Sequence, residues 1–456
     1  MYKKILIASL ALIAGLASCK KDDPTPSPNP PSTLTIDGVA STLEFYQLDT
    51  AHLSVAGVAK DAAAKAVWAV NGAKAAEGAT FDFTTAHTGK YEVTLTVDGK
   101  SAKHTYTVAP RFSEGAFLLN EGNFGNETGS LTYIHPSKKL VIDQAYYHIN
   151  GTKLGNVCQD LAFGNDQVYI ISQNGPKNGG EGLLTIARSN SLEKVKVYND
   201  EALAQSTPTH IAVLRDHIYI RTERDGILRG SSEGGFTPIT GTKKALKQRM
   251  AQIGERLFAL TKDNKVLMIQ GTQVVRELDL SPAKPSGIAV SHDGKLWVST
   301  TSPNAILKVD PTPDNFVALD THVLDKSISA TGPESWQRTT SSAFFAHGDK
   351  LYFTGQSSVI YCHDFATSKT SQVIDVKTID GVGTSANMYY NSLGVDPSTG
   401  ELYYAAFEGY STYNKKNVTM VLKADGTKLL LKEKVNSFPA GFYFIPNAAS
   451  RTGANR

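Results

Sequence analysis

The chain has 456 residues, of which 41% are hydrophobic, 20% charged and 9% aromatic, and its formal net charge is +3. A chain of this length and composition can form several packed cores. Its net charge is close to neutral, whereas nucleic-acid-binding domains are usually clearly basic. Three cysteines are too few for a disulfide scaffold. Abundant strand formers and few long helical patterns predict an all-β protein.

The first eighteen residues have the form of a signal peptide. Lys3 and Lys4 precede an apolar run from Ile5 to Leu16, which is shorter than the ~20 residues needed to span a bilayer. The following Leu16-Ala17-Ser18-Cys19 resembles the lipobox of bacterial lipoproteins, in which the cysteine carries the lipid. We therefore predict a signal peptide over residues 1–18 and lipidation of Cys19; an ordinary secretion signal with an accidental cysteine is the alternative.

Residues 19–33 are expected to form a tether behind the lipid. Lys20-Lys21-Asp22-Asp23 resembles the charged export signal of Bacteroidetes surface lipoproteins. Five prolines among residues 24–32 favour extended polyproline, which at ~3.1 Å per residue spans about 28 Å. The implied location is the outer membrane, with the lipid as the only anchor and the folded part facing the cell exterior.

Residues 34–110 alternate apolar and polar side chains in short runs, as half-buried strands do. Val67-Trp68-Ala69-Val70 leads into Asn71-Gly72, and the run over residues 89–97 leads into Asp98-Gly99; both dipeptides are typical of tight hairpin turns. The segment resembles PKD and bacterial Ig-like domains, which implies a small β-sandwich. It contains no cluster of chemically active side chains, so we interpret it as a spacer.

One strand pattern recurs seven times from residue 116 onward: an apolar residue, an aromatic one, two mostly apolar ones, then a small or polar one. The aromatic positions are 39 to 55 residues apart, a spacing typical of four-stranded propeller blades. They are Phe117, Tyr169, Tyr219, Phe258, Trp297, Tyr352 and Tyr403. We predict a seven-bladed β-propeller over residues 111–447 and a C-terminal tail over residues 448–456.

The first repeat has no leading strand, because residues 111–115 are too few to form one. A strand pattern with no repeat after it stands at the other end, over residues 440–446. A propeller whose first blade takes its innermost strand from the C-terminus has no open edge. The sequence therefore predicts that residues 440–446 pair with residues 116–120.

Tight turns such as Ser291-His292-Asp293-Gly294 and Asp396-Pro397-Ser398-Thr399-Gly400 precede the repeated strands. In a propeller these hairpins lie on one face, while the loops after the repeated strands and the crossings between blades lie on the other. The second group is rich in aromatic and amide side chains, which suit a large planar ligand or a protein surface; wedging between blades is the alternative for each aromatic residue. The predicted ligand-facing residues are Asn120, Glu121, Phe124, Tyr146, Tyr147, His148, Asn174, Trp336, Arg338, Tyr389, Tyr390, Glu408 and Tyr410.

Local catalytic motifs are absent from the sequence. It has no G-x-S-x-G elbow, H-E-x-x-H pair or Walker loop, and its histidines lack metal-ligand spacing. We predict no catalytic residue, metal or cofactor, although an active site assembled from distant blades stays open. Cys158 and Cys362 fall in the second and sixth repeats, so we expect packed thiols and no bridge.

The run Phe117-Leu118-Leu119-Asn120-Glu121-Gly122-Asn123-Phe124-Gly125 and the later Asn150-Gly151-Thr152-Lys153-Leu154-Gly155-Asn156-Val157 resemble the YncE-like, YVTN-type propeller lipoproteins of Bacteroidetes. Some members of that group sit on an outer-membrane TonB-dependent transporter and capture cobalamin. The resemblance implies that this protein binds a corrinoid or similar nutrient and passes it to such a transporter. No individual contact residue can be matched.

Three hypotheses remain at this point. The first is the nutrient-capture lipoprotein. The second is an adhesion or scaffold propeller that binds protein or glycan without a deep pocket. The third is a lactonase-like hydrolase, which would need carboxylates and a divalent ion in the central channel.

Overall fold

The computed structural model describes residues 33–39, 44–326, 328, 344–355, 357–388 and 393–446. Strands dominate these residues and the helices are short. In the part of the chain so described, no helix has the length and apolar character needed to cross a membrane. Cys19 and the predicted signal peptide and tether lie outside the described residues.

The chain divides into two compact units. Residues 33–39, 51–83 and 91–106 belong to the first unit, and residues 44–50, 84–90 and those described from 107 onward belong to the second.

Two sheets occupy residues 35–109. Their strands are β1 (Thr35–Asp37), β2 (Phe45–Tyr46), β3 (Thr50–Ala56), β4 (Val67–Val70), β5 (Ala73–Glu77), β6 (Thr80–Thr84), β7 (Gly89–Val97) and β8 (Lys100–Ala109), with helix α1 (Lys60–Ala63) between β3 and β4. The strand orders are β1-β3-β6 and β2-β8-β7-β4-β5.

Aromatic side chains of β6 contact the larger of these sheets. The rings of Phe81 and Trp68 lie 5.6 Å apart, and Phe83 stacks on Tyr106 at 4.8 Å. Both predicted hairpin turns are present, joining β4 to β5 and β7 to β8. Each has two successive residues with positive φ, as a type I′ turn requires: +48° and +79° at Asn71-Gly72, and +47° and +76° at Asp98-Gly99.

Seven four-stranded sheets follow among the described residues from 116 to 444. Sheet 1 contains β9 (Ala116–Asn120), β10 (Ser130–His135), β11 (Leu140–Ile142) and the C-terminal strand β36 (Pro439–Phe444). Sheet 2 contains β12 (Asn156–Gly164), β13 (Gln167–Gly175), β14 (Leu184–Arg188) and β15 (Lys194–Tyr198). Sheet 3 contains β16 (Pro208–Leu214), β17 (His217–Thr222), β18 (Gly226–Ser231) and β19 (Gly234–Pro238). Sheet 4 contains β20 (Ala251–Ile253), β21 (Arg256–Leu260), β22 (Lys265–Gln270) and β23 (Gln273–Asp279).

The remaining sheets repeat this plan. Sheet 5 contains β24 (Pro285–Val290), β25 (Leu296–Thr301), β26 (Asn304–Val309) and β27 (Ala318–Val323). Sheet 6 contains β28 (Phe344–His347), β29 (Lys350–Phe353), β30 (Val359–Asp364) and β31 (Lys369–Asp375), and sheet 7 contains β32 (Leu393–Val395), β33 (Leu402–Phe407), β34 (Asn417–Leu422) and β35 (Lys428–Glu433). Short helices lie in the connections: α2 (Ala145–Asn150), α3 (Glu201–Ser206) and the 3₁₀ turns Lys177–Gly179, Pro313–Asn315, Val376–Thr378 and Gly383–Ala386.

The seven repeated strands predicted from the sequence are β9, β13, β17, β21, β25, β29 and β33, and each lies second in its sheet. Their aromatic side chains are buried, and each joins an apolar core between its own sheet and the next. Phe117 lies in the core between sheets 1 and 2, and Tyr403 in the core between sheets 7 and 1. The intervening cores follow in the same cyclic order. The repeated aromatic residue therefore joins neighbouring sheets.

The C-terminal strand pairs with β9, as predicted. The two strands are antiparallel, with Leu119 opposite Gly441, Leu118 opposite Phe442 and Phe117 opposite Tyr443. Sheet 1 is thus assembled from both ends of the second unit, whereas each of the other six sheets uses four consecutive strands.

The two cysteines of the second unit are packed thiols, also as predicted. Cys158 in β12 and Cys362 in β30 are buried and free. Burial raises the pKa of both thiols, which keeps them in the unreactive neutral form.

Deleting residues 438–456 should abolish the cooperative unfolding of the second unit, because it removes β36 and leaves one edge of β9 unpaired. Calorimetry would follow the transition. Deleting residues 447–456 alone, which keeps β36, is the control. A chain lacking residues 438–456 with an unchanged transition would contradict this account of closure.

Asp310, at the end of β26, should make stability depend on pH in the acid range. The Lys295 ammonium lies 2.8 Å from Oδ2, and this interaction is the main cause that lowers the pKa of Asp310 to about 2. Because the carboxyl binds its proton less readily when folded, its stabilisation is present above its unfolded pKa of about 3.9 and is lost as pH falls toward 2. Between about pH 5 and pH 2, the free energy of unfolding measured by urea titration should therefore decrease less for Asp310→Asn than for wild type. Equal losses in the two proteins would refute this role.

Candidate functional site

Loops of sheets 1, 2 and 7 surround a cavity of about 340 Å³, which we call the sheet 1 cavity. The loops that surround it are those that follow the repeated strands β9, β13 and β33, together with the crossings that lead into β12 and β36. These are the two classes of loop in which the sequence predicts the ligand-facing residues. Its polar and aromatic lining includes Asn126, Glu127, Thr128, Ser130, Asp143, Gln144, Tyr146, Tyr147, Lys153, Asn178, Asn414, Lys434, Asn436 and Ser437.

Glu127 joins three of these loops. Its Oε1 accepts a hydrogen bond of 2.6 Å from the Tyr413 hydroxyl in the β33–β34 loop. Its Oε2 accepts bonds of 2.8 Å from the Ser437 hydroxyl ahead of β36 and 3.1 Å from the Asn123 amide in its own loop. Burial and the bond to Glu127 raise the pKa of Tyr413 to about 12, so the phenol stays a donor. One carboxylate thus links sheet 1 to sheet 7 and to the C-terminal crossing.

Amide side chains of sheet 2 hold the other side of the β9–β10 loop. Asn156 Nδ2 donates to the carbonyl oxygens of Asn123 and Glu127, and Asn178 Nδ2 donates to those of Phe124 and Glu127 at 3.2 and 3.3 Å. Asn174, a predicted ligand-facing residue, donates to Asn156 Oδ1 at 2.7 Å. Asn174 therefore orients Asn156, whose side chain supports the β9–β10 loop. Asn174 is not part of the cavity lining.

Helix α2 brings two predicted residues to the cavity in different roles. Tyr146 is buried, its hydroxyl donates to Glu181 Oε2 at 3.1 Å, and burial raises its pKa. Tyr147 is 43% exposed and presents its ring at the cavity. His148, next to it, is also exposed, with its ring 6.2 Å from that of Tyr147. Asn150 fixes the helix to sheet 2, since its amide donates to the carbonyl of Leu192 at 2.8 Å.

The lining contains two acids and two bases, so it does not select strongly for charge. Glu127 and Asp143 supply the carboxylates, and Lys153 and Lys434 supply the ammonium groups. Asp143 Oδ1 accepts bonds from the Thr132 hydroxyl and from the backbone amide of Gln144. Such a surface offers donors and acceptors to a polar ligand, with one exposed ring for stacking.

Three predicted residues on or beside β9 have distinct positions. Asn120 is buried, its amide lies 3.3 Å from the hydroxyls of Ser130 and Thr132, and its Oδ1 accepts from the Ser437 amide at 3.1 Å. Glu121 is also buried and accepts from Gln159 Nε2 at 2.9 Å. Phe124 is 60% exposed, and the Lys177 ammonium lies 3.6 Å from the centre of its ring.

The other predicted residues belong to three segments. Glu408 accepts hydrogen bonds from Thr384, Thr412 and Lys416, chiefly the last, and they lower its pKa. Tyr410 is 44% exposed and stacks on Phe438 at 5.7 Å. Trp336, Arg338, Tyr389 and Tyr390 lie outside the described residues.

Sequence reasoning missed most of the polar lining. The predicted set combined aromatic residues with amides and acids, but it did not include Glu127, Asp143, Lys153, Asn178 and Asn436, which carry the hydrogen-bonding surface. The available signal was the density of Asn and Glu in residues 120–127, which is high for a loop between two apolar strands. No group of three or more His, Cys, Asp or Glu side chains placed to hold a metal ion occurs within the described ranges.

Residues 114–446 match a family described as a domain of unknown function, DUF5074. The chain belongs to this family. A quinoprotein alcohol dehydrogenase-like protein from Bacteroides thetaiotaomicron is similar in structure, with a TM-score of 0.57 at 14% identity over 90% of this chain and 98% of that one. BamB from Moraxella catarrhalis is more distant, with a TM-score of 0.42 at 10% identity over 72% and 85% of the two chains. No curated protein matches the sequence.

At these identities the likeness concerns the fold alone, and it identifies the second unit as a β-propeller. The predicted propeller class is therefore confirmed, and the chemistry of the site rests on its own residues.

The hydrogen bond between Glu127 and Tyr413 should couple the β9–β10 loop to the β33–β34 loop energetically. Glu127→Gln and Tyr413→Phe should each destabilise the second unit by about 1–3 kcal/mol, since each leaves a partner unsatisfied. In a double-mutant cycle the two losses should couple by about 0.5–3 kcal/mol, measured by urea denaturation. Glu127→Gln combined with Tyr219→Phe, whose hydroxyl bonds elsewhere, is the control pair and should be additive. Additive losses at Glu127 and Tyr413 would show that the bond does not link the loops.

Proposed function

We propose that this protein is a lipid-anchored surface protein whose seven-bladed propeller captures a corrinoid or similar nutrient in the sheet 1 cavity. In this proposal the seven four-stranded sheets are the blades, and the N-terminal unit is a PKD/Ig-like spacer. Cys19 carries the lipid in the outer membrane, and a TonB-dependent transporter receives the ligand. The observation that carries the proposal is a polar cavity with an exposed aromatic ring at the loop ends of the sheets.

The chemistry of the lining supports a ligand with many amides. A corrinoid carries amide side chains around a planar macrocycle, so it offers carbonyl acceptors and N–H donors at its edge. The cavity presents Asn178, Asn414 and Asn436 together with carboxylates and ammonium groups of balanced charge. Such a set can pair with neutral amides without leaving a buried charge unpaired.

The size of the cavity supports partial entry of such a ligand. Its volume of about 340 Å³ is smaller than a whole corrinoid, so one edge of the ligand would enter while the planar face rests on the rim. Tyr147 supplies an exposed ring at the cavity, and Phe124 supplies another on the adjoining β9–β10 loop. Rigid aromatic side chains lose little entropy when they stack, and they are enriched among residues that dominate binding energy.

In an adhesion or scaffold role, the same exposed rings would contact a protein or glycan. The experiment below supports this role if cyanocobalamin does not bind.

A hydrolytic role has less support. Three carboxylates near the inner strands already have close partners: Glu121 accepts from Gln159, Asp160 accepts from Tyr443, and Glu223 pairs with Arg221.

Calorimetric titration of the full chain with cyanocobalamin tests the proposal, with Cys19→Ser introduced so that no lipid or detergent is needed. We expect a dissociation constant below about 1 μM, or about −8 kcal/mol. Tyr147→Ala and Asn178→Ala should each weaken binding by about tenfold or more, since each removes a contact worth about 1.4 kcal/mol.

Val323→Ala, at an exposed position on the outer strand of sheet 5, is the control and should bind like wild type. Absence of heat with cyanocobalamin would reject the corrinoid and transfer support to adhesion. Tight binding that both cavity variants retain would place the ligand elsewhere on the protein.

A further inference from the structure

A second cavity, of about 410 Å³, lies at the opposite ends of the innermost strands, and we call it the axial cavity. Strand β36 relates the two cavities: it starts at Pro439, just after lining residues of the sheet 1 cavity, and ends at Phe444, which lines the axial cavity. Phe442, the first residue of β36 that lines the axial cavity, follows Ser437 of the sheet 1 cavity by five positions, which in an extended strand is roughly 17 Å. The innermost strands of sheets 1, 2, 5, 6 and 7 contribute lining residues, together with β20 of sheet 4 and the two residues before it, Arg249 and Met250.

The wall of the axial cavity is mainly apolar. Its side chains come from the strand ends and from the tight hairpins that follow them. They include Phe163, Val290, Phe345, Val395, Pro397 and Phe444. Water in such a space finds few hydrogen-bond partners, so an apolar group that fills it is favoured.

A charged cluster includes two residues of the cavity lining, Arg249 and Tyr443, together with Asp160 behind them. Asp160 is buried on β12, where its Oδ1 accepts a 2.7 Å bond from the Tyr443 hydroxyl and its Oδ2 accepts a 3.0 Å bond from the Ile211 amide. Arg249 Nε lies 3.3 Å from Asp160 Oδ1. The guanidinium carbon of Arg249 also lies 4.0 Å from the centre of the Tyr443 ring. These contacts fix the position of the guanidinium on the cavity lining.

Two nitrogens of that guanidinium, Nε and Nη2, are buried and make no hydrogen bond to any residue that the structure describes. Arg249 Nη1 is 3.5 Å from the carbonyl oxygen of Phe442 and Nε faces Asp160. A buried cationic donor without an acceptor is unfavourable, and an acceptor that enters the cavity would remove this penalty.

We propose that the axial cavity binds a monocarboxylate with an apolar body, such as a medium-chain fatty acid. The carboxylate accepts a hydrogen bond from Arg249 Nη2 after a small rotation of the guanidinium, because Nη2 has almost no accessible surface in this structure. The chain lies against Val290, Phe345 and Val395. A dianion such as a phosphate monoester is disfavoured, because Asp160 already places a negative charge beside the same guanidinium. Binding here involves neither Tyr147 nor Glu127, so it is independent of the function proposed for the sheet 1 cavity.

Calorimetric titration of the full Cys19→Ser chain with octanoate, octan-1-ol and octylamine tests this proposal. The three probes share one apolar chain and differ in the head group. Octanoate should bind one site at least about tenfold more tightly than octan-1-ol, because a buried charged donor favours the ligand that satisfies it. Octylamine should bind most weakly. Equal affinity for octanoate and octan-1-ol, tighter binding of octylamine, or no binding of octanoate would overturn the proposal.

Two variants locate the site. Arg249→Met should remove the preference for octanoate over octan-1-ol, whereas Arg276→Met, on the outer strand β23, should keep it. Because Arg249→Met leaves Asp160 without its cation, Val290→Trp provides a second variant: Val290 lines the cavity and is 39% exposed, so the larger side chain can fill the cavity while the charged cluster is retained. This variant should abolish binding of both probes while cyanocobalamin titrations stay as in wild type. Octanoate binding that survives Val290→Trp would place the fatty acid elsewhere and refute the axial site.

Discussion

The pairing of β36 with β9 is the constraint on which the second unit depends. Neighbouring sheets meet through side chains, and each repeated aromatic residue lies in the core that it shares with the next sheet. Such apolar packing between sheets is strong, but it includes no backbone hydrogen bonds that would join the first part of the unit to the last. Sheet 1 supplies those bonds, because its ladder joins residues from the two ends of the unit. An unpaired β9 would present a free edge to solvent and to other chains.

The same junction builds the sheet 1 cavity. The crossing from β35 to β36 contributes Lys434, Asn436 and Ser437 to its lining, and Ser437 donates to Glu127 on the opposite loop. The polar site therefore forms only when the C-terminal strand is in place. Loops on a rigid scaffold commonly carry binding residues, and here the loops are also fixed to each other, since Glu127, Asn156 and Asn178 hydrogen-bond across sheet boundaries.

The two cavities have opposite chemistry although they lie at the two ends of one strand. At the loop end, amides, hydroxyls and paired charges are accessible to a polar ligand. At the hairpin end, short turns bring apolar strand ends together, and the single guanidinium of Arg249 is held by Asp160 and Tyr443. The difference follows from loop length, because long crossings can carry polar groups that project into solvent, while tight hairpins expose only the last residues of the strands.

Short-range patterns in the sequence were sufficient for the strands and turns. The seven aromatic repeats marked the second strand of each four-stranded sheet, Asn71-Gly72 and Asp98-Gly99 marked two hairpins, and residues 440–446 marked the closing strand. Each of these depends on local alternation or turn chemistry, which a few neighbouring residues specify. The environments of the site residues did not follow in this way: Tyr146 and Tyr147 both line the sheet 1 cavity, but Tyr146 is buried and hydrogen-bonded to Glu181, whereas Tyr147 is exposed.

Only the tertiary structure decided which polar groups meet. Tyr413 and Glu127 are 286 residues apart in the chain, and Tyr443 and Asp160 are 283 apart. No local pattern records such a pairing, because it arises from the cyclic order of the sheets and from the register of β36 against β9. The sequence by itself determined the strands, the turns and the strand that completes the propeller. The three-dimensional packing of distant loops determined the two cavities and the charges within them.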